Sequence, residues 1–288
     1  MNSVPARVSL VVSTIGRPEQ LERLLSSLEQ IQKPSLVELI LVDQTADQSS
    51  AQYLMQRNLP FQVQITTSAR GLSIGRNAGL KLATAEFVAF PDDDCWYQPD
   101  TISLAARFLD ANPSVSGVSG IQRTVDGRDS MLRWAPTGRW ITRNNFYRTA
   151  ISSTLFLRTA HVRAVGGFDP TLGAGSTDGY MSGEESDLVL KLLDSGSKLR
   201  YEPRLVVLQD EPRDDLPDGY VSKMAGYGRG FGRLFADHHL SKPLFCTLIG
   251  RKAVGGLVRT IRQDDLAAAD RAFIQGAISA YRERSCPK

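Results

Sequence analysis

A chain of 288 residues with 42% apolar and 23% charged side chains fits one large globular domain, or one domain and an appendage, and its net charge of +3 is too small to argue for a nucleic-acid partner. Cys95, Cys246 and Cys286 are too widely spaced for a zinc site or a disulfide framework and fit a reducing compartment. The first residues carry no signal-peptide pattern and no apolar run is long enough to span a bilayer, so a cytoplasmic location is expected.

The apolar run at residues 8–12 is expected as a buried strand, followed by a turn at Ser13-Thr14-Ile15-Gly16-Arg17. Pro18 suits the first position of a helix with Leu21, Leu24, Leu25, Leu28 and Ile31 as its apolar stripe. Residues 37–42 read as a second strand ending in Asp43, and Phe61, Val63 and Ile65 alternate with polar residues in a third. A helix at 73–83 and a strand at 87–90 follow. This alternation predicts an α/β fold with a mostly parallel central sheet flanked by helices. Further on come a helix after Pro99-Asp100, a strand at 115–121, an irregular loop at 123–148 and a strand at 151–157. After a short helix, Gly166-Gly167-Phe168-Asp169 forms a turn. Glu184 to Leu193 has the acidic start and the trailing Gly196 of a helix. Residues 199–208 supply a strand or two, broken at Pro203.

Near residue 217 the texture changes, which predicts a first domain at 1–217 and a C-terminal helical extension at 218–288. In the glycine-rich run 226–233, Arg229 and Arg233 either reach a diphosphate or a lipid pyrophosphate or sit in a flexible surface loop. Residues 242–262 mix apolar and basic side chains, and either lie on an anionic membrane surface or pack as a helix with solvated basic residues. Asp264-Asp265 caps a last helix with Leu266, Ala269, Phe273 and Ala277 facing inward.

Asp92, Asp93 and Asp94 follow directly on Phe87-Val88-Ala89-Phe90-Pro91. Adjacent carboxylates repel one another and become favourable around a divalent cation, because Mg²⁺ and Mn²⁺ take oxygen ligands. Open α/β sheets bind ligands at the carboxyl ends of their strands, so the stretch is expected to floor a site for a metal-bound diphosphate. In an extended strand end Asp92 and Asp94 share a face, leaving Asp93 to point elsewhere or towards a sugar. The alternative is a turn cluster before Pro99.

Ser13-Thr14-x-x-Arg17, Val42-Asp43, Arg76-Asn77-x-Gly79, Asp92-Asp93-Asp94, Gly167-Phe168-Asp169 and Gly183-Glu184-Glu185-x-Asp187-Leu188 occur in that order. Over residues 7–210 the chain thereby resembles a family 2 glycosyltransferase with the GT-A fold. The resemblance implies a metal-dependent, inverting transfer of a sugar from a nucleotide diphosphate sugar to a hydroxyl acceptor. Mn²⁺ or Mg²⁺ would be the cofactor at a DXD motif, and the acceptor a saccharide or lipid-linked saccharide. The implied context is cell-surface or exported polysaccharide synthesis, with peripheral contact at the inner face of the membrane left open. By motif position Thr14, Arg17 and Asp43 line the base and ribose pocket, and Arg76 lies near the base or diphosphate. Asp92 and Asp93 contact the nucleotide sugar, and Asp94 with Asp92 holds the metal. Glu185 is the catalytic base, at a position where the family more often has Asp, and Glu184 and Asp187 are supporting acids.

Structural alternatives stand beside these roles. Asp43 suits a strand-end turn, Arg76 a solvated helix face, Asn77 and Gly79 helix packing, and the Glu184 group a complement to the helix dipole. Trp96 and Tyr97 either stack on a sugar or belong to the core. Where many relatives carry a His after the late strand, this chain has Leu208-Gln209-Asp210-Glu211, and Asp210 offers an oxygen instead. His238 and His239 either swing back to help bind the metal or, as is expected, lie exposed at the surface, and His161 is expected as structural. Two rival functions remain. One is a nucleotidyltransferase making a nucleotide sugar, whose glycine-rich signature residues 13–17 match poorly. The other is a catalytically silent nucleotide-sugar-binding protein of the same fold.

Overall fold

Every residue of β1 (Val8–Thr14) and β2 (Val37–Asp43) is buried, as the continuous apolar runs require of strands covered on both faces. The computed structural model describes residues 5–210, 218–262, 264 and 266–285. The boundary expected at 217, and with it Glu211, Asp265 and Cys286, lies outside the described residues. The chain divides into two compact units. One comprises Met1–Arg70, Ile74–Phe168 and Leu188–Pro212; the other comprises Gly71–Ser73, Asp169–Asp187 and Arg213–Lys288.

In the first unit α1 (Pro18–Glu29) starts at the expected proline and buries Leu21, Leu24, Leu25 and Leu28. Then come α2 (Ser49–Met55), β3 (Gln62–Thr67), α3 (Leu72–Leu82), β4 (Phe87–Ala89), β5 (Cys95–Tyr97), α4 (Thr101–Ala111) and β6 (Gly117–Arg123). β7 (Arg139–Trp140), β8 (Leu155–Arg158), α5 (Thr159–Ala164) and β9 (Leu199–Gln209) complete the series, and α6 (Glu184–Asp194) belongs to the second unit up to Asp187 and to the first from Leu188. The sheet runs β3-β2-β1-β4-β8-β6-β9-β5, with β7 also on β9. The first four strands pair in parallel, as do β6 and β9, whereas β8, β5 and β7 pair antiparallel. The parallel half carries the carboxyl ends of β1, β2 and β4 side by side.

Two expectations need correction. The strand expected at 151–157 begins only at Leu155, because Ser152–Thr154 forms a 3₁₀ turn in which Thr154 Oγ1 donates to the Ile151 carbonyl. Nor does Pro203 break the late strand. While β6 advances from Ser119 to Ile121, β9 advances from Tyr201 to Val206, so the residues around Pro203 bulge out of an otherwise continuous ladder.

Glu38 is a fully buried acid inside β2. Its carboxylate accepts hydrogen bonds from Ser9 Oγ, Thr84 N, Thr84 Oγ1 and Ala85 N, which ties the approach to β4 onto β1 and β2. Burial pushes the group up, but these donors outweigh it and hold the carboxyl below its ordinary value.

The second unit contains α7 (Tyr220–Asp237), α8 (Lys242–Ile261) and α9 (Leu266–Ser285). The glycine-rich run 226–233 lies wholly within α7 and is not a loop. Its glycines are there for close packing. A Cβ on Gly228 would lie 2.0 Å from the Phe273 carbonyl oxygen, and one on Gly232 2.1 Å from that of Ala277. From the other side, a Cβ on Gly276 of α9 would lie 2.3 Å from the Ala225 carbonyl oxygen. Close backbone approach therefore outweighs low helix propensity. Ala269 and Ala277 are buried as expected. Among the described residues no helix is long and apolar enough to cross a membrane.

Gly232 and Gly250 are both helical glycines, but a Cβ on Gly250 would meet nothing within 4 Å. Gly250→Ala should raise stability by up to about 1 kcal/mol, whereas Gly232→Ala should lower it by about 1–3 kcal/mol; urea denaturation distinguishes the two. For Glu38 the depressed folded value means that its contribution is present above the unfolded value and is lost as pH falls through the folded one. The stability gap between wild type and Glu38→Gln should therefore be widest near neutral pH and close below about pH 4.3. Urea titrations across that range measure it.

Candidate functional site

The chain leaves β4 through Phe90 and Pro91, pairs Asp92 with Ser13 in an isolated parallel bridge, and turns at Asp93 and Asp94 into β5. The aspartates thus occupy a turn, where an extended strand end was expected, and their sides still differ. Asp93 is 1% exposed, while the side chains of Asp92 and Asp94 are 25% and 30% exposed.

Two arginines meet the three acids. Thr14 Oγ1 donates to Asp93 at 2.7 Å, and the Arg17 guanidinium pairs with Asp93 and reaches Asp94 Oδ2 at 3.0 Å. Arg76 is buried, contrary to a solvated helix face, and donates to Asp92 Oδ1 at 2.7 Å and to Ser152 Oγ at 2.8 Å. Gln209 Nε2 donates to Asp94 Oδ1 at 2.9 Å, and Gln209 itself accepts from the buried Gln122. Burial and the neighbouring Asp92 charge push Asp94 up to about 6, with Arg17 working against them. Burial also raises Asp93 despite Arg17 and Thr14. Next to the cluster, Ser13 Oγ is buried with no hydrogen-bond partner, and a Cβ on Gly75 would lie only 2.5 Å from it. The missing side chain at Gly75 lets α3 pack directly on the end of β1 there.

The flanking motifs act as supports. The Asn77 side chain brackets the Phe168 backbone, donating to its carbonyl at 2.7 Å and accepting from its N–H at 2.9 Å. This holds the Phe168 ring against Phe90, with centroids 4.8 Å apart, and 5.2 Å from the Arg76 guanidinium. A Cβ on Gly79 would lie 2.3 Å from Val11 Cγ1, so that glycine lets α3 approach β1. Asp43 is fully buried; it accepts from Thr45 N and Oγ1 and from Ala51 N, which caps a turn and the start of α2. Trp96, beneath the Arg23 guanidinium, and Tyr97 are both buried in the core. Asp210 lies exposed on Arg23.

In the second unit, Glu184, Glu185 and Asp187 occupy the first turn of α6. Glu184 is buried against Gly173, Glu185 is half-buried, and Asp187 is buried. His238 is not the surface histidine expected, because its Nε2 lies 2.9 Å from Asp187 Oδ1. Arg233 is likewise committed, donating to Asp169 at 2.7 Å, Thr171 Oγ1 at 2.8 Å and Asp237 at 3.0 Å. Arg229 pairs with Glu283. Nothing in sequence spacing marks Gln209 or His238, whose partners lie far away along the chain.

Asp92 and Asp94 form an all-oxygen donor pair with partly exposed carboxylates. Among the described residues no group of three or more His, Cys, Asp or Glu side chains is arranged as a metal cage. The oxygen donors of the Asp92 and Asp94 pair are of the kind that Mg²⁺ and Mn²⁺ take, since these ions bind through one or two carboxylates and complete their shell with substrate phosphates.

The family model for glycosyl transferase family 2 matches residues 9–164. The pre-mycofactocin glycosyltransferase of Mycobacterium tuberculosis is 27% identical over 246 residues, covering 80% of this chain and 48% of that protein. The chain therefore spans about half the length of that relative. Among solved structures, the mannosyltransferase PcManGT from Pyrobaculum calidifontis, in complex with GDP-Man and Mn²⁺, matches with a TM-score of 0.64 at 17% identity. The match covers 97% of this chain and 88% of that one. Staphylococcus aureus TarS 1–349 in complex with UDP-GlcNAc matches with a TM-score of 0.60 at 18% identity, covering 98% and 93%. The fold is GT-A-like, as expected.

Asn77→Ala should leave the Phe168 N–H and carbonyl without their partner and lower stability by about 1–3 kcal/mol. Asn77→Asp, which keeps an acceptor but loses the amide donor, should fall between wild type and Asn77→Ala in denaturant melts.

Proposed function

The chain belongs to glycosyl transferase family 2, and from that premise we propose that it transfers a sugar, with inversion, from a nucleotide diphosphate sugar to a hydroxyl acceptor. The observation that carries this reading is the carboxylate turn after β4, where Asp93 is buried against Thr14 and Arg17 while the side chains of Asp92 and Asp94 stay partly exposed. Asp92 and Asp94 would hold Mn²⁺ or Mg²⁺, which when bound would offset charge on the leaving diphosphate. The Mn²⁺ that accompanies GDP-Man in the Pyrobaculum calidifontis complex supports this cofactor class.

The chain's own residues divide the remaining work. Asp93 fixes Arg17 and Thr14 at the nucleotide pocket, whose wall includes Asp43. Arg76 holds Asp92 in place and lies near the diphosphate. Glu185 takes the acceptor hydroxyl proton as that oxygen bonds to C1, while the C1–O bond breaks and its electron pair leaves with the diphosphate. Glu184 and Asp187 support the turn that carries Glu185, with His238 on Asp187. The donor is a nucleotide diphosphate sugar, as in the UDP-GlcNAc and GDP-Man complexes of the fold neighbours. The acceptor is a saccharide or lipid-linked saccharide, and the setting is cytoplasmic synthesis of a cell-surface or exported polysaccharide. Residues 1–217 form the catalytic domain, with the extension at 218–288.

Turnover of labelled nucleotide sugars tests the reading. Glu185→Gln should cut kcat by about 100- to 10,000-fold with donor affinity little changed. Chelation of divalent ions should stop turnover, and Mn²⁺ or Mg²⁺ should restore it. Pyrophosphate release from a nucleoside triphosphate would point to the nucleotidyltransferase instead. Donor binding without turnover would leave a silent binder.

A further inference from the structure

Helix α8 is inside out in its charge. Lys252 Nζ lies 2.7 Å from Asp270 Oδ1, and the Arg259 guanidinium pairs with Asp270 Oδ2, on a carboxylate that is only 4% exposed. Two of its cations thus face α9. Its outward face carries Val254, Leu257, Val258 and Ile261, which are 65%, 61%, 42% and 75% exposed. The spacing i, i+3, i+4, i+7 makes these one continuous ridge, extended towards the N-terminus by exposed Gly250, Cys246 and Pro243. Arg251 and Arg262 flank the ridge on one side and Lys242 on the other, all exposed. The helix contains no acidic residue.

We propose that this face of α8 docks on an anionic lipid bilayer, with the aliphatic ridge in the boundary between headgroups and acyl chains and the cations of its rim on lipid phosphates. An apolar stripe flanked by exposed cations, on a helix without an acidic residue, is the pattern of a helix that lies in the plane of a membrane. A second copy of the chain is a poorer occupant. Pairing this face with itself would bring the same unbalanced cations together with no carboxylate on either helix to offset them. The inference does not depend on the catalytic reading, since lipid binding is measured without turnover.

Co-sedimentation of the full chain with vesicles tests it. One set is phosphatidylcholine alone and the other an equal mixture with phosphatidylglycerol. The wild type should partition onto the anionic vesicles about tenfold or more better than onto neutral ones, and lose this at high salt. Leu257→Ser with Ile261→Ser, and separately Arg251→Glu with Arg262→Glu, should each weaken binding about tenfold while the thermal melt stays unchanged. Equal partition onto both vesicle types, or binding that neither variant weakens, would overturn the proposal. So would a concentration-dependent dimer in sedimentation velocity that Leu257→Ser with Ile261→Ser abolishes, without vesicle binding; that result would assign the face to a second copy.

Discussion

Three adjacent carboxylates at the end of a buried strand have to be balanced by positive charge, and the first unit is arranged around that balance. At an effective dielectric of about 20, two like charges about 4 Å apart cost about 4 kcal/mol, a large part of the 5–15 kcal/mol that keeps a domain folded. Arg17, from the loop after β1, and Arg76, from α3, meet the aspartates with Thr14 and Gln209. Among the described residues two cations meet the three anions, and Asp92 and Asp94 are the partly exposed pair. Burial, and after it the Asp92 charge, push Asp94 up against the pull of Arg17.

Arg76 can serve this purpose only because its helix is pinned. Asn77 holds the Phe168 backbone, Phe168 packs on Phe90, and Gly79 lets α3 approach β1. Glu38 shows the other way of burying a carboxylate. It has no cation, but four donors from Ser9, Thr84 and Ala85 take its charge. The two acids therefore differ in character. Glu38 is a sealed structural group, whereas Asp92 and Asp94 stay short of full neutralisation and open to solvent.

Much of this was legible in the residues themselves. Apolar runs located β1, β2 and β4, Pro18 started α1, and the acids and Gly196 bracketed α6. The order of motifs identified the fold. Pairing was not legible, because it depends on chain topology. Asp43 reads equally well as a ligand contact or a turn cap, and only the positions of Thr45 and Ala51 show which contacts it makes in the fold. Gln209 and His238 carry no local pattern, since one is aligned by β5 against β9 and the other by α7. The glycine-rich run 226–233 misleads for a physical reason. Propensity describes an isolated helix, and here the missing side chains allow contact with α9 that no other residue would permit.

The polarity of α8 has a related origin. α7 and α9 meet through glycines at backbone distance, and α8 packs on both through Phe245, whose ring contacts Phe231, Phe235 and Tyr281. α8 approaches α9 at Gly256, where a Cβ would lie 3.2 Å from Asp270 Cβ, and it meets a buried carboxylate there. Lys252 and Arg259 must turn inward to neutralise it, since an unpaired buried charge costs more than an exposed aliphatic side chain. Phe245, Gly256 and these two cations make up the inner face of the helix, and Val254, Leu257 and Ile261 lie on its outer face.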